Sequence, residues 1–153
     1  MVSKVIPVDP FDLVIFGGTG DLAKRKILPG LFRRFVSGQM PSTARVLGAA
    51  RSELSQAEYK EFAKDAICHF AQVDRKHKSL APFLNQLCYV QIDVCEDSGW
   101  FVLKGMMRPK CVRAFYFSVA PSLFGKIAEH LRRHKIALND SRIVLEKPFG
   151  RDL

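Results

Sequence analysis

Five short apolar runs, separated by segments of helical periodicity, dominate the pattern of this 153-residue chain. The first run is apolar over four consecutive residues, which is typical of a strand buried on both faces of a parallel sheet. The runs predict strands over Asp12–Phe16, Arg45–Ala50, Tyr89–Ile92, Val112–Val119 and Arg142–Leu145.

The intervening segments predict helices over Asp21–Val36, Gln56–Ala71, Leu80–Leu87, Ser98–Met107 and Ser122–His134. Ser55, followed by Glu58, forms a capping box that marks the start of the second helix. Pro29 lies inside the first helix and is expected to bend or loosen it. Strands that alternate with helices in this way predict an α/β fold with a doubly wound, Rossmann-like parallel sheet.

Residues 1–11 are predicted to be a short lead-in, and residues 12–153 a single domain. The chain stops soon after its fifth strand, whereas a doubly wound domain of two mononucleotide halves usually has a sixth. We therefore expect a sheet truncated before completion, in the first part of a longer polypeptide.

Glycines follow the first strand at once, and Gly17, Gly20 and Ala23 match a G-x-x-G-x-x-A form of the dinucleotide-binding turn. Gly17 is expected to permit the sharp turn, and Gly20 is expected to let the backbone lie close against a bulky group. The small side chain of Ala23 lets the helix pack tightly on the strand. Asp21 is expected to cap the helix, whose N–H groups then hold a pyrophosphate. For these residues alone, a glycine-rich turn without a ligand is the alternative.

The end of the second strand predicts the cofactor. A site for NAD usually carries Asp or Glu there, whereas a nearby Arg accommodates the 2′-phosphate of NADP. This strand ends in Ala50, Arg51 and Ser52, so a guanidinium and a hydroxyl stand where a carboxylate is missing. We therefore predict NADP; a solvated Arg51 is the alternative.

The carboxyl ends of parallel strands lie at one edge of a sheet, so four segments are expected to converge there: Gly17–Gly20, Ala49–Arg51, Val119–Pro121 and Glu146–Lys147. Lys147 is a candidate to contact an anionic substrate; the alternative is that Lys147 is an ordinary charged residue on the surface. No histidine has a carboxylate partner at a recognisable sequence spacing. We therefore assign no catalytic base and no metal site within the chain.

Composition narrows the class of protein. The net charge of +9 suits an anionic ligand or a nucleic acid, but the basic residues are scattered and no aromatic-basic run is present. No apolar run has the length of a membrane span or a signal segment. Four cysteines without C-x-x-C spacing indicate reduced, mostly buried thiols in a cytosolic protein: Cys68, Cys88, Cys95 and Cys111.

Three strings together resemble the glucose-6-phosphate dehydrogenase family: Gly17 to Lys26, Ala50 to Ser52, and Glu146 to Leu153. They occur in the order and spacing of that family, and the resemblance covers essentially the whole chain. The lead-in Pro10-Phe11-Asp12 is similar to that of bacterial members.

The resemblance implies an NADP-binding domain of a cytoplasmic enzyme that oxidises glucose 6-phosphate to a lactone, the first step of the pentose phosphate pathway. It implies that Arg51 and Ser52 meet the 2′-phosphate and that Lys147 touches both substrate and nicotinamide. The implied pyrophosphate turn consists of Gly17, Gly18, Thr19, Gly20, Asp21, Leu22, Ala23 and Lys24.

In the family, a second α+β domain supplies the catalytic histidine, most substrate contacts and the interface of a homo-oligomer. Residues 1–153 alone are therefore expected to bind NADP without catalysing the reaction, and neither nucleic acid nor membrane is an expected partner. Phe124 and Ala120 depart from the family pattern, which leaves the nicotinamide contacts open. A self-standing NADP-binding sensor is the alternative function, and a basic scaffold for nucleic acid is a third.

Overall fold

The computed structural model describes residues 10–145, which contain one five-stranded sheet. Every strand pairing is parallel, and the order across the sheet is β3-β2-β1-β4-β5. The predicted α/β fold with a doubly wound sheet is therefore confirmed. The strands are β1 (Phe11–Phe16), β2 (Arg45–Ala50), β3 (Leu87–Gln91), β4 (Val112–Phe117) and β5 (Arg142–Leu145).

Helices connect successive strands. The loosening expected at Pro29 is confirmed as a π-helical turn, in which the N–H of Leu28 donates to the carbonyl oxygen of Ala23 just ahead of the proline. This π-helical segment (Ala23–Ile27) leads into α1 (Leu28–Val36). The other helices are α2 (Gln56–Phe70), α3 (Leu80–Leu84), α4 (Ser98–Met106) and, after a 3₁₀ turn at Pro121–Leu123, α5 (Phe124–Arg133).

Two predicted ends lie two or more residues beyond the observed ones, because tertiary contacts end the elements early. The helix predicted to reach Leu87 ends at Leu84, and Leu87 instead pairs with Val46 as the first residue of β3. The fourth strand ends at Phe117 rather than at Val119. The side chain of Ser118 donates to the carbonyl oxygen at the end of β1 at 2.8 Å, and the chain turns away from the sheet there.

The apolar residues of β1 alternate between two cores, one on each face of the sheet. Leu13 and Ile15 join a cluster with the π-helical segment, α1, α2 and α3. Val14 and Phe16 join a second cluster with α4 and α5, in which Trp100 is fully buried. Burial of large apolar side chains on both faces is the main stabilising contribution in such a sheet, about 1.5–3 kcal/mol for each fully buried side chain.

A buried carboxylate anchors the amino end of the sheet, opposite to the predicted site. Asp12 is fully buried in β1 and accepts hydrogen bonds from the backbone N–H and the Nε of Arg108, at 2.9 and 2.8 Å. Desolvation by burial acts to raise the pKa of Asp12. The hydrogen bonds from Arg108 and Arg45, with the charge of Arg45, outweigh that effect and hold the pKa below its ordinary value.

The prediction of mostly buried cysteines is wrong: Cys95 is exposed, and the other three cysteines are half-buried. Cys68 and Cys88 lie at the margins of the two cores. Within residues 10–145, no helix combines the length and the apolar character that spanning a bilayer requires.

Candidate functional site

A cleft of about 710 Å³ lies at the carboxyl ends of β1 to β4. It stands where the chain, having wound from β1 to β3 on one side, crosses to β4 on the other, which is the usual ligand position in such sheets. The lining residues come from the glycine turn, the end of β2, the loop after β3, and the start of α5: Phe16, Gly17, Thr19, Gly20, Ala49, Ala50, Arg51, Ser52, Ile92, Asp93, Val94, Cys95, Val119, Ala120, Leu123 and Ile127.

The first two glycines of the turn are required by its geometry. Gly17 has a φ of +83°, and a Cβ there would overlap the carbonyl oxygen of Ser118. A Cβ on Gly18 would stand 2.8 Å from the Cα of Gly48, so β1 and β2 approach too closely at this point for any side chain. The sharp turn predicted for Gly17 is confirmed.

Hydrogen bonds tie the glycine turn to the sheet. The N–H groups of Gly17 and Gly18 both donate to the carbonyl oxygen of Ala49, at 2.9 and 3.1 Å, and the N–H of Gly20 donates to Gly17 at 2.9 Å. Within residues 10–145, no partner is present for the N–H groups of Thr19, Asp21 and Leu22. Three unpartnered donors at the start of a helix are a suitable site for an anion.

Tyr59 of α2 supports the glycine turn. It is fully buried in α2, and its ring lies so close over Gly48 that a Cβ on Gly48 would overlap it. Its hydroxyl donates to the carbonyl oxygen of Gly18 at 2.9 Å. Burial raises the pKa of this phenol, with a smaller contribution from Tyr89, so Tyr59 stays protonated and acts as a donor.

The loop after β2 is positioned by residues of β3. The hydroxyl of Tyr89 donates to the carbonyl oxygen of Ser52 at 2.5 Å, and the amide of Gln91 donates to that of Arg51 at 2.9 Å. These bonds use only the backbone of the loop. The Arg51 side chain is exposed at the cleft, and within the described residues its guanidinium has no ion pair or hydrogen-bond partner.

The structure places about half of the predicted site residues at the cleft. Asp21 is exposed, and its Oδ1 accepts from the Nε of Arg25 at 2.8 Å instead of from the first-turn N–H groups, so the predicted cap is wrong. Ala23 is fully buried in the core beneath the turn, as its predicted packing role requires. Lys147 lies outside the described residues. Gly17, Thr19, Gly20, Arg51 and Ser52 line the cleft, whereas Gly18, Leu22, Ala23 and Lys24 do not.

One wall of the cleft, formed by the loop after β3, was not predicted from the sequence. Asp93 directly follows the predicted third strand, so the rule that ligands bind beyond the carboxyl ends of strands was sufficient to include it. Its Oδ1 accepts from the N–H of Cys95 at 2.9 Å, which turns the loop toward α5. Tyr59 carried no such signal, because a tyrosine inside an amphipathic helix is ordinarily a core residue.

The comparisons with known proteins agree with this arrangement. The family model described as "Glucose-6-phosphate dehydrogenase, NAD binding domain" matches residues 14–153. This chain belongs to the glucose-6-phosphate dehydrogenase family. Curated relatives include the glucose-6-phosphate 1-dehydrogenases of Rhizobium meliloti, 44% identical over 156 residues and all of this chain, and of Gluconobacter oxydans, 44% identical over 95% of it.

Solved structures of glucose-6-phosphate dehydrogenases share the fold. The enzyme from Mycobacterium avium matches 94% of this chain with a TM-score of 0.83 at 26% identity, and the match covers 31% of the Mycobacterium avium chain. A glucose-6-phosphate dehydrogenase in complex with its substrate glucose-6-phosphate matches 99% with a TM-score of 0.81 at 27% identity. The chain spans about a third of the length of these relatives: 32% and 31% of the two curated proteins and 31% and 33% of the two structures.

Proposed function

We propose that this chain is the NADP-binding portion of an enzyme that oxidises glucose 6-phosphate, and that residues 12–153 form this domain. The observation that carries the proposal is the juxtaposition, at one cleft, of an anion-binding helix start and the unpaired Arg51 guanidinium. The names of the relatives support the substrate, and the family model supports the cofactor class.

The hydrogen-bond donors of the glycine turn and of the loop after β2 fit the phosphate groups of a dinucleotide. We assign the pyrophosphate to the N–H groups of Thr19, Asp21 and Leu22, because those of Gly17 and Gly18 are already bonded to β2. Arg51 can bind a 2′-phosphate with two parallel hydrogen bonds, and Ser52, which also lines the cleft, can add a hydroxyl. Lys147 is carried over from the family resemblance as a contact to both the sugar phosphate substrate and the nicotinamide end of the cofactor.

NADP supplies the hydride acceptor of the reaction. The residues of this chain bind and orient NADP. None of the described residues is assigned as the base that takes the proton from the C1 hydroxyl. General-base assistance typically contributes about 10²–10⁴-fold, and holding the substrate at reacting distance contributes more. We therefore propose that a segment outside this chain supplies both, that the complete cytoplasmic enzyme is a homo-oligomer, and that this chain alone is inactive.

The test compares binding with turnover in the purified protein. We expect NADP to bind with higher affinity than NAD, and NADPH to form with glucose 6-phosphate in the complete enzyme only. In that enzyme, Lys147→Ala should lower kcat/KM severely while leaving the affinity for 2′-phospho-adenosine nucleotides nearly unchanged. Tight NADP binding without turnover in the complete protein would instead support an NADP sensor.

A further inference from the structure

A cluster of histidine and carboxylate side chains lies behind the cleft, between α5 and the loop that joins β3 to α4. His130 and His134 occupy positions i and i+4 on α5 and at its C-terminal cap, and Asp97 comes from the loop. One ligand atom of each of these residues lies within 4.8 Å of the others. We propose that Asp97, His130 and His134 bind one transition-metal ion of the Zn²⁺ class.

The distances fit tetrahedral coordination. The Oδ1 of Asp97 lies 3.6 Å from the Nδ1 of His130 and 3.5 Å from the Nε2 of His134. Ligands at zinc bond lengths of about 2.0–2.1 Å stand roughly 3.3–3.4 Å apart in a tetrahedron. The two separations from Asp97 exceed this spacing by only a few tenths of an ångström (roughly 0.2 Å), and all three ligand atoms lie within 4.8 Å of one another.

One nitrogen of each imidazole faces the Oδ1 of Asp97, at 3.6 Å in His130 and at 3.5 Å in His134. The Nε2 of His130 lies 2.8 Å from the carbonyl oxygen of Val94, to which it can only donate, and its Nδ1 faces the Nη2 of Arg133 at 2.9 Å, which a metal ion would have to displace. The Nε2 of His134 is buried and has no hydrogen-bond partner within the described residues. A buried nitrogen without a hydrogen-bond partner is destabilising, and a bound metal ion would supply the missing partner.

Aromatic packing holds both rings in place. The Trp100 ring is parallel to that of His130 within 9°, with centroids 4.6 Å apart, and to that of His134 within 4° at 6.5 Å. His134 also meets the edge of Phe101 at 4.8 Å. Ligands whose rotamers are already restricted lose less conformational entropy when the ion binds.

A cation from the protein now stands at the position proposed for the metal. The Nη2 of Arg133 lies 2.8 Å from the Oδ1 of Asp97 and 2.9 Å from the Nδ1 of His130, so it bonds to two of the three ligand atoms. The Arg133 side chain is about half exposed, at 49%, and can turn into solvent. Binding of the ion therefore exchanges one cation for another, and Arg133 competes with the metal.

The site would connect α5 with the wall of the nucleotide cleft. Val94, which accepts the hydrogen bond from His130, and Cys95 both line that cleft. A metal ion that joins Asp97 to α5 would hold the loop between β3 and α4 against α5, on the side of that loop remote from the nucleotide. We assign the ion a structural role, with water as the fourth ligand.

The test is calorimetric titration of the EDTA-treated protein with ZnCl₂, repeated with Co²⁺ to detect the visible absorption of tetrahedral cobalt. We expect one ion per chain. His134→Asn should weaken Zn²⁺ binding at least about 100-fold, since even outer-shell changes cost 10–100-fold. Arg133→Ala should strengthen it about tenfold or more, because the competing charge-assisted hydrogen bonds are removed.

Two matched variants serve as controls. His69 is exposed and lies in α2, away from the cluster, so His69→Asn should bind Zn²⁺ with wild-type affinity. Cys95→Ser should also retain binding, since this neighbouring thiol is not a proposed ligand. Circular dichroism establishes that each variant is folded. Unchanged affinity in His134→Asn, no gain in Arg133→Ala, or loss of binding in Cys95→Ser would overturn the proposed ligand set.

Discussion

The hydroxyl of Tyr59 donates a hydrogen bond to the carbonyl oxygen of Gly18 at 2.9 Å. Through this bond, helix α2 holds the second residue of the glycine turn from beneath the sheet. The same ring leaves no room for a side chain on Gly48 of β2, and the Cα of Gly48 in turn leaves none on Gly18. The shape of the candidate nucleotide site thus depends on a residue that lies outside it.

We predict that Tyr59→Phe lowers the free energy of unfolding by about 1–2 kcal/mol, because the buried carbonyl of Gly18 loses its donor. The affinity for NADP should also fall, since the turn is held less firmly. Urea unfolding and calorimetric titration measure the two effects. As a control, Gly105→Ala in α4, where a Cβ meets no atom within 4 Å, should be neutral or stabilising. A Tyr59→Phe protein with unchanged stability would contradict the prediction.

We predict that Gly20→Val abolishes NADP binding but leaves the secondary structure largely intact. A Cβ on Gly20 meets only the carbonyl oxygen of Gly17, at 3.2 Å, so the added bulk lies chiefly in the space of the cleft. Gly17→Ala should behave differently and destabilise the fold, because it combines a positive φ with an overlap. Titration calorimetry and circular dichroism distinguish these outcomes. Wild-type NADP affinity in Gly20→Val would show that the turn has only a structural role.

We predict that Arg51→Ala weakens NADP binding by at least about 1.5 kcal/mol, the lower end for a hydrogen bond to a charged group. The affinity for NAD should hardly change, since NAD lacks the 2′-phosphate. Arg34→Ala is the matched control, because Arg34 is an exposed arginine near the end of α1 that does not line the cleft. Equal losses for both cofactors would mean that Arg51 does not recognise the 2′-phosphate.

We predict that Asp12→Asn lowers stability by about 1–3 kcal/mol near neutral pH, because Arg108 and Arg45 lose a charged partner. The folded-state pKa of Asp12 is below its ordinary value, so its contribution is fully present above about pH 4. The contribution is lost as the pH falls through the folded-state pKa. Urea unfolding at several pH values should therefore show the stability difference between wild type and variant shrinking in acid. A constant difference would contradict this linkage.

Local signals in the sequence determined the elements of this protein. Alternation of apolar runs with helical periodicity predicted the strands and the doubly wound sheet, and the capping box of Ser55 and Glu58 is present with both of its hydrogen bonds. The sharp turn at Gly17 was likewise predictable. Each of these signals is contained within a few consecutive residues, where backbone sterics and periodicity act directly.

Only the tertiary structure decided which distant side chains meet. The hydroxyl of Tyr59 reaches Gly18, and Asp97 approaches His130 and His134, because helix packing and loop length bring those elements together. Periodicity specifies which face of an element is buried, but not which residue of another element lies opposite. That correspondence is set by the register of the packed elements, which no short stretch of sequence contains.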